Sequence, residues 1–308
     1  MKKIIAENKD HLKELIRKEI WLNGLNCNLN HINTCFITDM SYLFNNSKFN
    51  GDISQWSTGN VEYMKGMFHG SIFNGDISKW NTCNINDMSQ LFSSSKFNGD
   101  ISSWNVSNVG NMKAMFAHSK FNGDISAWRT SNVVSMESIF DGSKFNGDIS
   151  QWDVSNVVCM YRMFANSDFN GDISGWNTIS VETMKFLFED SLFNGDISEW
   201  NVSNVKNMSG MFCRSQFNGD ISNWNTSKVK SMEIMFLHSQ FNGDISGWNT
   251  ENVIDMGNIF FNCKCTVPYW AKIENYDNRK MAINAYQNKK LLEQVLDKNL
   301  NNKTIVKI

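Results

Sequence analysis

Nine aspartates, Asp52, Asp76, Asp100, Asp124, Asp148, Asp172, Asp196, Asp220 and Asp244, recur at a fixed interval of 24 residues. Brought into one column, their carboxylates repel unless each is hydrogen-bonded or paired with a cation. A row of calcium sites is one reading, but calcium takes about 6–8 oxygens. Each repeat offers one carboxylate beside Asn and Ser, without the glycine-rich pattern of calcium β-rolls. The other reading is an Asx-turn, in which each carboxylate accepts backbone N–H bonds from its own or the next repeat. The spacing favours the second, a structural ladder that holds no metal.

The other candidates for chemistry read the same way. Nine tryptophans, from Trp56 to Trp248, could stack on sugar rings. Each lies two residues before a Val or Thr, hence on the same strand face, and the expectation is a core column. A methionine column suggests copper, yet Leu91, Ile139 and Leu187 take a neighbouring methionine position in some repeats, which marks packing. His69, His118 and His238 lie in separate repeats, and His11 and His31 lie in or near the N-terminal region. Cys263-Lys264-Cys265 is half a metal site with no second cysteine pair and no neighbouring histidine. There is no phosphate loop, HExxH or GxSxG. The sequence predicts no catalytic residue, cofactor or metal, and so no enzyme. A polysaccharide lyase on a β-solenoid would need charges clustered on one face of the central repeats, and they are missing.

The element that places these residues is the repeat itself. Phe-Asn-Gly-Asp-Ile-Ser begins at Phe49, Phe73, Phe97, Phe121, Phe145, Phe169, Phe193, Phe217 and Phe241, with no insertion or deletion. Such a period means a solenoid, in which each coil buries its apolar face against its neighbours. Counting from the Phe as position 1, apolar residues fall at 1, 5, 8, 10, 13, 16, 19 and 20. The run from 13 to 20 has helical spacing, with Asn at 12 as its N-cap. A short strand fits positions 8–10. The expected fold is an α/β solenoid, a right-handed stack of ten 24-residue strand–turn–helix coils spanning roughly 50 Å at ~4.8 Å per strand.

The stack is expected to occupy residues 25–264, its first coil degenerate, with Ile32 in place of tryptophan. Residues 1–24 read as an N-terminal helical cap, its helix over 5–22 with a face of Leu12, Leu15, Ile16 and Ile20. Residues 265–308 read as a C-terminal cap and tail. There Pro268 ends the period, Asp277 opens a helix of roughly twenty residues with a face of Met281, Ala285, Leu292, Val295 and Leu296, and the tail from Lys298 frays.

The strings Trp-Asn-Val-Ser-Asn-Val (104–109 and 200–205) and Asn-Met-x-x-Met-Phe (111–116 and 207–212) resemble the BspA-like leucine-rich repeat family, first catalogued as a mycoplasmal repeat of unknown function. The resemblance covers about 25–264 and implies a leucine-rich-repeat-like solenoid. Named members are mostly bacterial surface proteins that adhere to host or partner proteins.

A net charge of −2 offers no field for nucleic acid or anionic membranes. No stretch approaches the ~20 apolar residues of a membrane span. The start, Met1-Lys2-Lys3-Ile4-Ile5, meets Glu7, Asn8, Lys9 and Asp10 where a signal peptide needs an apolar core. The seven cysteines are an odd number at positions otherwise held mostly by Ser, Ala or Thr, and read as reduced thiols. The expectation is a cytoplasmic protein, with a surface location by a non-classical route as the alternative. Function should sit where coils differ. Val134, Val158, Tyr161 and Phe186 place large apolar side chains where most coils are polar. They suggest a site for a protein partner, or a homo-oligomer contact. The function expected is a non-enzymatic scaffold for protein–protein interaction, with cell-surface or glycan adhesion of the BspA-like type as the alternative.

Overall fold

Each 24-residue unit forms one coil of a solenoid-like stack, and the choice of partner made by each backbone N–H explains its shape. The structure, a computed structural model, describes residues 3–273 and 275–305. Within a coil the N–H at position 8 reaches the carbonyl at 5 (Trp152 to Ile149, 3.1 Å), and the N–H at 13 reaches the carbonyl at 10 (Val157 to Val154, 2.9 Å). The N–H at 19 likewise bonds three residues back (Met163 to Met160, 3.2 Å). These are β-turns. The N–H groups at 16, 18, 20 and 22 instead cross to the following coil: Met160 to Thr183, Arg162 to Lys185, Phe164 to Leu187 and Asn166 to Glu189, at 2.7–3.1 Å. Single parallel bridges at position 15 join neighbouring coils, from Asp39–Tyr63 to Ser231–Asp255.

The helix expected over positions 13–20 does not form, and among the described residues the strand expected at 8–10 appears in the first coil alone, at Ile32–Asn33. Apolar spacing of i, i+3, i+6, i+7 suits a chain of tight turns as well as a helix, and so short a helix has little stability of its own. Stacked coils offer carbonyls on both sides, and the backbone takes them. The Asn at 12 is accordingly no N-cap. Its amide donates to the position-11 carbonyl of the preceding coil, as in Asn132 to Ser107 (2.7 Å) and Asn156 to Ser131 (2.8 Å). Positions 18 and 22 adopt φ between +49° and +63° in all ten coils, yet sixteen of these twenty residues are not glycine. The left-handed conformation costs a non-glycine residue about 1–2 kcal/mol, which the ladders between coils offset.

Three aromatic columns fill the core. Phe145 stacks on Phe169 at 6.4 Å, Trp128 on Trp152 at 6.3 Å and Phe140 on Phe164 at 5.8 Å, with ring planes within 12°. Phe140 also meets Phe145 at 4.3 Å, tying two columns together. Offset stacks of this kind add to the large apolar area that each ring buries. Every tryptophan from Trp56 to Trp248 donates Nε1–H to the position-5 carbonyl of the preceding coil, at 2.9–3.2 Å. Where position 10 is Thr, its hydroxyl donates to the next coil, as Thr130 does to the Asp153 carbonyl (2.9 Å). Thr250 has no coil beyond it, and its buried hydroxyl is without a partner.

At the N-terminal end β1 (Ile4–Ile5) pairs in parallel with β2 (Ile32–Asn33), and α1 (Lys9–Asn23) follows. Ile5 is therefore strand rather than the start of the helix, because the Ile4 and Ala6 N–H groups meet the His31 and Asn33 carbonyls, both at 2.9 Å. Asn8 caps α1 by accepting the His11 N–H, and Gly24 ends it at φ +79°. Leu12 and Ile16 are buried, with Leu15 and Ile20 packed behind them.

At the other end a 3₁₀ turn (Tyr269–Lys272) precedes α2 (Tyr276–Ile305). Trp270 adds a further indole to the column, donating to the Ile245 carbonyl at 3.4 Å. The expected face of α2 is corrected. Met281 and Leu292 are exposed (63% and 64%), as is Ala285, whereas Ile283 and Arg279 are buried. Arg279 turns inward and donates to the Val253 carbonyl of the last coil. The side chains of Val295 and Leu296 lie outside the described residues, and the helix runs on through the segment expected to fray as far as Ile305.

Candidate functional site

The aspartate column lies on the outside of the stack, beside the turn that follows Gly at position 3. In all nine coils Oδ1 accepts the N–H of the serine two residues on, at 2.9 Å. At Asp76, Asp100, Asp124 and Asp172 the serine hydroxyl donates as well, at 2.7–2.8 Å. The backbone bond, reinforced by the hydroxyl, holds these four carboxyls and those of Asp196 and Asp220 below the usual carboxylate range. At Asp100 the neighbouring Asp124 and Asp76 push weakly the other way. Behind the aspartates runs a second ladder. The Oδ1 of each position-2 Asn accepts the backbone N–H of the next, from Asn50–Asn74 to Asn218–Asn242, at 2.7–2.9 Å. Among the described residues no three His, Cys, Asp or Glu side chains gather to hold a metal ion.

The nine repeat tryptophans are buried to the last few per cent and present no ring to a ligand. The histidines are dispersed. His31 faces Glu19 at 3.5 Å, and His238 packs edge-on to Phe261.

Val134, Val158, Tyr161 and Phe186 fall into two pairs. Val134 and Val158 are successive residues of the position-14 column, joined by a 3.0 Å backbone bond and exposed at 51% and 37%. Tyr161 and Phe186 are half-buried and meet edge to face at 6.2 Å, with the Lys185 ammonium 5.2 Å from the centre of the Phe186 ring. Phe186 is thus largely committed to its own chain.

Beside this pair lies a charge network that the sequence reading misses. Arg162 bonds Asp141 (2.8 Å) and Glu189 (2.6 Å), and Arg214 bonds Glu189 (2.7 Å) and Asp190 (2.6 Å). Asp141 is only 6% exposed. Hydrogen bonds to Asp141 and Asp190 push the Arg162 and Arg214 guanidiniums upward in pKa. The partners come from neighbouring coils at positions 18, 21 and 22, so no local motif carries them. The available signal was the concentration of charge at positions 18, 21 and 22 of coils 5–8.

A groove of about 590 Å³ opens on coils 1–4, lined by Phe36, Thr38, Asn60, Glu62, Asn84, Asn86 and Asn108. These are positions 12 and 14. The amides of Asn60, Asn84 and Asn108 each donate one bond to the preceding coil.

The family described as "Mycoplasma protein of unknown function, DUF285" matches the chain over residues 12–122, 94–193 and 166–270. No curated protein and no solved structure matches it.

Proposed function

The chain belongs to the DUF285 family of Mycoplasma proteins of unknown function, and for it we propose a non-enzymatic role as a repeat scaffold that binds another protein. The observation that carries this reading is the exposed Val134–Val158 pair, set mid-stack where other coils mainly present polar side chains. Nearby, Arg162 and Arg214 hold their carboxylates in fixed geometry, and could orient a partner by charge. The polar columns that could do chemistry spend their bonds on the stack itself. The test is capture of partners by the intact chain and by a V134D/V158D variant whose melting temperature is unchanged. Loss of specific partners from the variant supports the reading; an identical partner set sinks it.

A second reading, glycan or surface adhesion of the BspA-like type, is favoured by the amide-lined groove with Phe36 at its edge. Unchanged binding to a glycan array after Asn84→Ala and Asn86→Ala together would remove it. A right-handed, leucine-rich-repeat-like stack and a cytoplasmic location belong to the same proposal. Among the described residues no helix is long and apolar enough to cross a membrane.

A further inference from the structure

The junction between coils is Ser-x-Phe nine times in succession, from Ser47-Lys48-Phe49 to Ser239-Gln240-Phe241. In seven of them the serine hydroxyl accepts the phenylalanine N–H at 3.1–3.4 Å. At the tenth junction both residues change together, to Cys263-Lys264-Cys265, and the turn survives: the Cys265 N–H donates to Cys263 Sγ at 3.4 Å. The turn that elsewhere aims a hydroxyl and a ring now sets two sulfurs 2.9 Å apart. We propose that Cys263 and Cys265 are a reversible redox site, which closes to an intrachain disulfide by exchange with a disulfide oxidant.

The geometry supports the step. A disulfide needs about 2.0 Å between sulfurs, less than 1 Å closer than the two already lie, with the backbone turn in place. Cys263 is partly exposed and can be reached, while Cys265 is 8% exposed and sits beneath it. The hydrogen bond between the two sulfurs brings the Cys263 thiol down to about 7, which suits a nucleophile at neutral pH, and the same bond pushes Cys265 up. Burial pushes the thiols of Cys27, Cys159 and Cys213 upward instead. A metal site is disfavoured, since no third donor joins the pair among the described residues.

In the exchange the Cys263 thiolate attacks one sulfur of the oxidant RSSR and expels RS⁻, which takes up a proton. Cys265 then gives its proton to solvent, and its sulfur displaces the second RS⁻ from Cys263. Two protein thiols and RSSR become one disulfide and two RSH, with two electrons passing to the oxidant. The bond forms one residue before the segment that leads into the C-terminal cap, so it would fix where the cap leaves the last coil.

The experiment equilibrates the full-length chain with oxidised and reduced glutathione, then quenches and maps thiols by mass. Expected are a peptide spanning 263–265 lighter by two hydrogens, and, in reduced protein at pH 7, alkylation of Cys263 at least tenfold faster than of Cys159 or Cys213. A C265S variant should stop at a glutathione adduct on Cys263. The proposal is overturned if Cys263 and Cys265 stay alkylatable under oxidised glutathione, if the wild-type chain accumulates only mixed disulfides, or if the bond forms between chains.

Discussion

The ring of Phe186 lies across the backbone of Gly210, so close that a Cβ on Gly210 would collide with its Cδ1 and Cε1. Both residues occupy position 18 of successive coils, at φ +58° and +62°. The same arrangement recurs at Tyr42 and Gly66, where a Cβ would fall 2.5 Å from the tyrosine Cε1. At position 22, Asn46 leans on Gly70 and His118 on Gly142. Glycine enters these columns where the side chain of the preceding coil folds flat over it.

Gly210→Ala should therefore cost more than backbone strain alone. Left-handed strain contributes about 1–2 kcal/mol and the clash with Phe186 about 1–3 kcal/mol, for a total of about 2–5 kcal/mol by chemical denaturation. In the Phe186→Ala background the same change should cost only the strain term. Equal costs in both backgrounds would show that the ring moves aside freely.

Ser94 holds the same left-handed conformation (φ +56°) on an exposed turn, in the position-22 column that has glycine at Gly70 and Gly142. Ser94→Gly removes strain of about 1–2 kcal/mol and adds unfolded-state entropy worth somewhat less, so a gain of about 0.5–1 kcal/mol is expected. A lower denaturation midpoint would mean that the ladder bonds, not the residue's own preference, set the energy there.

How much of this was legible before the structure depends on which bonds decide it. The period and the burial of Trp152, Phe145 and Phe164 follow from apolar positions alone. The turn-for-helix substitution does not, because Arg162 N–H bonding to Lys185, 23 residues on, leaves no mark on local spacing. Sixteen non-glycine residues at positive φ run against the usual signal, which looks for glycine. Of the candidate site, Val134 and Val158 were visible as departures from the consensus. The Arg162–Glu189–Arg214 network needed knowledge of which coil faces which. At the C-terminal end the inward turn of Arg279, bonded to the Val253 carbonyl, defeated an apolar-face argument.

The aspartate column predicts an acid limb. Asp76, Asp100, Asp124, Asp172, Asp196 and Asp220 have folded pKa values below their unfolded ones. Their contribution is present above the ordinary carboxylate value of about 3.9 and is lost as pH falls through the lowered folded values. The melting temperature should fall below about pH 4, and Asp124→Asn, whose Oδ1 can still accept the Ser126 N–H, should barely move it at pH 7. Chelator should change nothing, and a large drop in EDTA restored by calcium would revive the cation reading.

Removal of a whole coil separates packing from charge. Deleting residues 73–96 brings coil 4 onto coil 2, where Trp104 finds the Ile53 carbonyl, Asn98 N–H finds Asn50 Oδ1 and Phe97 stacks on Phe49, each replacing an identical contact. Deleting 121–144 rebuilds the same packing around Trp152, Asn146 and Phe145. It also removes Asp141, which leaves the half-buried Arg162 with Glu189 alone. Stability in a stacked array is close to a sum of coil and interface contributions, so both shortened chains should be folded and monomeric. The second should melt at a lower temperature, and raised salt should narrow the gap by screening. Equal melting temperatures would assign the Asp141–Arg162 pair no net role, and aggregation of the 73–96 deletion would mean that coils are not interchangeable.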